Sequence, residues 1–183
     1  VAEDRIVIVD IDEKSLAEIG RWPWSRDRLA ALADELFANQ RAAVVGFDML
    51  FAEPDTSSGL PTLDRLAAGS REIAAALMPL RPALDFDARF AQSLAQRQTV
   101  LGCAGRRSGA LPAPVFSVAE LGRRPSAFTR WDGYAANLDV FARAAAGAGF
   151  FNNVPDPDGL VRGVPLIAEL DGRHYEALAL AMF

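Results

Sequence analysis

Arg5-Ile6-Val7-Ile8-Val9-Asp10-Ile11-Asp12 (RIVIVDID) is the stretch on which the fold class turns. Its apolar residues fill both alternating sets, Ile6 and Ile8 on one face, Val7, Val9 and Ile11 on the other. A strand that is apolar on both faces is covered on both, as in a parallel sheet flanked by helices. The pattern therefore predicts a buried strand over residues 5–12. Asp12 then stands in N-cap position before a short helix over 13–19, which Gly20 closes in a left-handed conformation.

The loop that follows, Gly20-Arg21-Trp22-Pro23-Trp24-Ser25-Arg26, holds two of the three tryptophans. Loops run over the surface, so two large aromatics there either roof the core or line something that binds. Pro23 fixes the backbone between them, which serves a rigid plug and a rigid wall equally. Ser25 is the N-cap of a second helix, in which Leu29, Leu32, Ala33, Leu36 and Phe37 recur on one face. A second apolar strand over 43–47 ends at Asp48, and the strand-helix-strand order predicts a right-handed parallel crossover.

Residues 49–62 read as a loop, after which Ile73 and Leu77, then Phe86, Phe90 and Leu94, mark two helices broken near Pro79 and Pro82. A third strand covers 99–104. Residues 105–125 are rich in Gly, Pro, Arg and Ser and read as irregular, with a short strand near Val115. Asn137 caps a helix over 138–146, and a strand over 148–154 leads to the turn Pro155-Asp156-Pro157-Asp158-Gly159. A last strand over 160–170 is closed by Asp171-Gly172, and the final strands read as an antiparallel hairpin. The predicted fold is thus α/β: a mixed, partly parallel central sheet flanked by helices, with an antiparallel hairpin near the C-terminus. A single domain spans residues 1–183.

Composition narrows the function. A net charge of -5, with 19 Lys and Arg spread along the chain, leaves no basic footprint for nucleic acid. The one cysteine, Cys103, follows Val100 and Leu101 and reads as a small core thiol. No signal segment and no run of 18 apolar residues is present. The chain begins at Val1 and ends in an apolar stretch with no helix stop signal, so it reads as a domain excised from a longer protein.

Asp10, Asp12 and Asp48 stand at strand ends, where open α/β sheets place their ligands. Three neighbouring carboxylates repel unless something compensates them, which leaves three readings open. Asp12 can be a helix cap, with Asp10 or Asp48 paired with Arg26 or met by loop amides; the group can belong to a ligand pocket; or it can hold a divalent metal. His174, the only histidine, lies beside Tyr175 with no nucleophile motif near it and reads as a surface residue. There is no Gly-x-Ser-x-Gly, no phosphate-binding glycine loop and no zinc-ligand spacing, so no catalysis and no cofactor is expected.

Several motifs occur in a recognisable order: Ile8-Val9-Asp10-Ile11-Asp12-Glu13-Lys14-Ser15-Leu16, the Gly20 to Arg26 loop, and Val45-Gly46-Phe47-Asp48-Met49-Leu50-Phe51-Ala52-Glu53-Pro54. Asn152-Asn153, Asp158-Gly159-Leu160-Val161-Arg162 and Val164-Pro165-Leu166 complete the set. Together they resemble the second type of CHASE domain, an extracellular sensory domain of bacterial receptors. The resemblance implies an input module held outside the cytoplasmic membrane between transmembrane helices. Its output would be an adenylate cyclase, a histidine kinase or a serine/threonine kinase.

Among the positions that match the signature, the candidate ligand-binding residues for an unknown small molecule are Asp10, Asp12, Trp22, Trp24, Arg26, Asp48, Asp158 and Arg162. No metal is expected at them. Two rival readings are a metal-dependent hydrolase-like domain using Asp10, Asp12 and Asp48, and a structural module that forms a homodimer through an apolar patch.

Overall fold

The computed structural model describes residues 5–104, 128–131, 133–170 and 172–183. In chain order the first half holds α1 (Glu13–Ile19), α2 (Arg26–Ala38), β1 (Val45–Phe47), α3 (Leu60–Ala68), α4 (Arg71–Leu77), α5 (Arg81–Leu84) and α6 (Phe86–Leu94). The second half holds β2 (Thr99–Cys103), β3 (Thr129–Trp131), α7 (Asp139–Ala144), β4 (Gly147–Phe150), β5 (Ile167–Leu170), β6 (Arg173–Glu176) and α8 (Leu178–Ala181).

β1, β2 and β4 form a parallel sheet in that order, with Val45 opposite Thr99 and Val100 opposite Gly147. Every residue of the central strand β2 is buried, as a parallel strand covered on both faces requires. The apolar face of α2, carrying Leu29, Ala30 and Ala33, packs with Phe90 and Leu94 of α6 and Phe141 of α7 against Phe47 and Leu101. Phe51 sits among these rings edge-to-face, 5.2 Å from Phe90, 5.9 Å from Phe141 and 6.0 Å from Phe47, the geometry that ring quadrupoles favour.

A second sheet has the order β3-β5-β6. β5 and β6 make the antiparallel hairpin near the C-terminus, turned at Gly172 with φ 73°, while β3 runs parallel to β5. A bridge between Phe150 and Ala177 joins the two sheets, and Cys103, Phe150, Leu170, Tyr175 and Ala177 form a second core there. Burial pushes the Cys103 thiol up to about 11, so it is the inert core thiol expected.

The α/β class, the parallel sheet with its helices and the C-terminal hairpin are as the sequence predicts. Several boundaries differ. Residues 5–12 form no strand: Ile6 is 70% and Ile8 89% exposed. Alternation fixes an extended backbone, but a strand also needs a bonded partner, and among the described residues β1 pairs only with β2, so residues 5–12 do not join its open edge. Residues 160–166 are mostly exposed and lie outside the strands, and only Ile167–Leu170 enters a sheet; Gly163 and Pro165 interrupt the earlier part. The two helices predicted after the 49–62 loop are four short ones, the first starting inside that loop, with Pro61 and Pro82 in the first turns of α3 and α5, where a missing N–H costs nothing. His174 is not a surface residue: it is 4% exposed in β6, 4.9 Å from the Phe128 ring. The irregular stretch and the strand near Val115 lie outside the described residues.

Candidate functional site

The tryptophan loop answers its two readings with one residue each. Trp24 is the plug: half-buried, it packs against the main core and donates its indole N–H to the Gly20 carbonyl at 2.8 Å. Gly20, at φ 115°, supplies the backbone conformation that turns the chain out of α1. Trp22 is the wall. It is 41% exposed, follows the chain into a cis peptide bond with Pro23, and meets the Trp24 ring edge-on at 6.0 Å. It lines an open groove of about 500 Å³ together with Asp48, Met49 and Leu50 after the end of β1 and with Ile11 and Leu16. The groove therefore lies beyond the carboxyl end of a parallel strand, the place where α/β sheets bind ligands.

Arg26 ties the tryptophan loop to the segment that follows Asp48, Met49 and Leu50. It opens α2 directly after the tryptophan loop, and its buried guanidinium lies 4.7 Å from the centre of the Phe51 ring and 5.8 Å from that of Phe141. Its Nη2 donates to the Glu53 carbonyl at 3.3 Å and its backbone N–H to Asp55 Oδ2 at 2.6 Å. Asp55 in turn donates its N–H to Asp87 Oδ2 at 3.0 Å. Arg26 Nε and Asp87 Oδ1 stand 3.7 Å apart, an ion pair, and both atoms are buried without a hydrogen-bond partner among the described residues. One cation thus joins the tryptophan loop, the segment after the groove floor and the start of α6.

The two acids of this junction respond oppositely. Burial raises Asp87, and the Asp55 N–H and the Arg26 charge only partly offset it. Burial also pushes on Asp55, but hydrogen bonds from Ser57 and from the Arg26 N–H outweigh it and hold that carboxyl below its usual value. An acid raised by folding adds stability that is full below its unfolded pKa and is lost as pH rises through the folded value; for Asp55 the loss comes as pH falls. Asp87→Asn removes the first of these slopes. Relative to the parent, this variant is expected to be more stable at pH 7 than at pH 4, read by urea unfolding at both. A relative loss that grows with pH would mean that attraction to Arg26 outweighs burial.

The remaining candidates fall in separate places. Asp12 is spent as the N-cap of α1, accepting the Ser15 N–H at 2.8 Å and the Ser15 hydroxyl at 2.7 Å, which lower its pKa. Asp10 is exposed on the extended segment before it. Asp158 and Arg162 form an exposed fork, Nη1 to Oδ1 at 3.0 Å and Nη2 to Oδ2 at 2.7 Å, and Asp156 shares Nη1 at 2.8 Å. Neither lines the groove. The structure brings Trp22 and Asp48 together and sets Trp24 and Arg26 behind them. It does not gather Asp10, Asp12 and Asp48 into a metal site, and among the described residues no group of three acids, histidines or cysteines could hold an ion.

Asp55 and Asp87 escape the sequence reading, although each has a local sign. Asp55 begins an Asx turn, accepting the Ser57 N–H at 2.7 Å, and Asp87 follows the Asp85 cap in the first turn of α6. No helix among the described residues is long and apolar enough to cross a membrane.

Against models of protein families, the chain matches the CHASE2 domain over residues 1–183. No curated protein and no solved structure matches it.

Proposed function

The chain belongs to the CHASE2 domain family, a family of sensory and not catalytic domains, and from that premise we propose that it is the extracytoplasmic input module of a bacterial transmembrane receptor. It relays a small-molecule stimulus to a cytoplasmic adenylate cyclase or kinase. The observation that carries the ligand site is the groove between Trp22 and Asp48, open at the strand end and tied to the core through Arg26. A ligand that draws its walls together acts on both sides of that junction at once. The shift then reaches the aromatic core through Phe51.

In a thermal-shift screen of the chain, a ligand present at about 100 times its Kd is expected to raise Tm by roughly 5–10 °C. Asp48→Ala should abolish that shift while leaving the unliganded Tm in place, because Asp48 is exposed. Stabilisation that survives the substitution would place the ligand elsewhere. The same compound should change the output activity of the intact receptor in membranes; a compound that binds without doing so counts against the sensory role of the groove.

A further inference from the structure

The groove presents aromatic and aliphatic surface and one negative charge, and we propose that its ligand is an organic cation, an ammonium or amidinium group carried on an apolar body. The inference rests on the groove being the ligand site. Among the described residues, Asp48 is the only ionisable side chain in the lining, and no basic residue shares it. Its carboxylate is also uncommitted, having no hydrogen-bond or ion-pair partner among the described residues. Four neighbouring acids are engaged, and Asp10 is exposed outside the lining. Asp12 holds Ser15, Asp55 holds the Arg26 N–H, Asp85 caps the Ala88 N–H at 2.9 Å and Asp87 holds the Asp55 N–H.

The same lining carries the complementary feature. Trp22 offers an exposed indole, and Trp24, anchored to Gly20, braces its edge. Indole is the aromatic face that attracts a cation most strongly. An anion in this groove would meet Asp48 with no basic side chain in the described lining to compensate it, and a neutral polar group would find the Trp22 indole N–H but bring no charge to pair with Asp48. A cation gains from both Asp48 and Trp22, and a net charge of -5 favours its approach. Ile11, Leu16, Met49 and Leu50 leave room for an apolar body beside the charged group.

Phenethylammonium, its uncharged counterpart phenethyl alcohol and the anion phenylacetate separate charge from shape. Titrated into the chain by calorimetry, with tryptophan fluorescence as a second signal, the ammonium is expected to bind in preference to the other two. Its affinity should fall about tenfold in Asp48→Asn and about tenfold in Trp22→Leu. Asp48→Asn is exposed and isosteric, so it tests the charge even if Trp22→Leu disturbs the loop. If the alcohol binds as tightly as the ammonium, with dependence on Trp22 but not on Asp48, the cation inference is overturned and the groove stands. Ammonium binding that neither substitution changes, or no binding of the ammonium at about 10 mM, overturns it as well. If binding depends on both residues but the receptor's output does not respond to the ammonium, the ligand class holds and the sensory reading of the groove falls.

Discussion

Replacing Asn137 with alanine lowers the unfolding free energy by about 3 kcal/mol, one of the largest single losses expected from a polar residue in this chain. Asn137 is buried, and its amide is used at both ends: Oδ1 accepts the Phe51 N–H at 2.8 Å and Nδ2 donates to the Gly102 carbonyl at 2.9 Å. The next residue, Leu138, donates its N–H to the Phe51 carbonyl at 2.8 Å. One side chain thus splices the segment after β1 onto the central strand β2, where no ladder reaches. Alanine orphans a donor and an acceptor together, and each costs roughly 1–3 kcal/mol when buried. Asn137→Asp separates this account from simple loss of packing. Its carboxylate still accepts from Phe51 but faces the Gly102 carbonyl oxygen with no proton to give. Protonation restores a donor, so the aspartate variant should regain stability as pH falls and the alanine variant should not. Urea unfolding of both variants at pH 4 and 7 checks this. A loss under about 1 kcal/mol for alanine would mean that water takes over both bonds. Phe51 follows the groove floor, so a loosened Phe51 should also weaken the ligand response at Asp48.

The sequence was most legible where a structural cause is local. Asp12 caps α1 through Ser15, three residues on, and Gly20 ends that helix with the positive φ its position requires. The face of α2 follows from helical spacing alone, and Leu29 and Ala33 are buried as that spacing dictates. Partners distant in sequence were not legible. The sequence offers Asp10 and Asp48, both at the ends of apolar runs, as partners for Arg26, but its partners are the Glu53 carbonyl, Asp55 and Asp87. Nothing in the composition of 53–55 or 85–87 announces that these segments meet. Asn137 shows the same gap from the other side: it looks like a helix cap, yet it makes no cap bond to α7 and bonds across the fold instead. The apolar run at 5–12 has the alternation of a buried strand, and alternation specifies which face each side chain takes, not whether a second strand lies alongside. Of the groove, the residue types could be read in advance. The division of labour between Trp22 and Trp24 could not, because it depends on where the Gly20 carbonyl and the core stand relative to the loop.

Gly149→Ala is expected to cost about 3 kcal/mol, although alanine is the better residue in an ordinary strand. A Cβ built on Gly149 would lie 2.5 Å from Cα and 2.6 Å from N of Leu178, and 2.8 Å from the Ala177 carbonyl carbon. These are backbone atoms, so no rotamer change relieves them. They are also held: Ala177 bridges Phe150 and donates its N–H to the Leu166 carbonyl at 2.8 Å. Alanine must therefore lift the start of α8 from β4 or distort the strand. Gly46→Ala is the control. Its Cβ would also collide, but with the sulfur and methyl of Met182, the free end of a flexible and partly exposed side chain. That side chain can turn away, so the expected change is within about 1 kcal/mol, part of it offset by the lower entropy of the unfolded chain. Thermal and urea unfolding of the two variants side by side measure the difference. If Gly149→Ala is tolerated as well as Gly46→Ala, α8 is not seated on the sheet as the close approach requires. If it is not tolerated, the C-terminal helix is rigidly coupled to the strand pair β2 and β4. Displacement of that sheet by a ligand at the groove would then move α8 with it, and a variant that breaks the seat should uncouple receptor output from a groove that still binds.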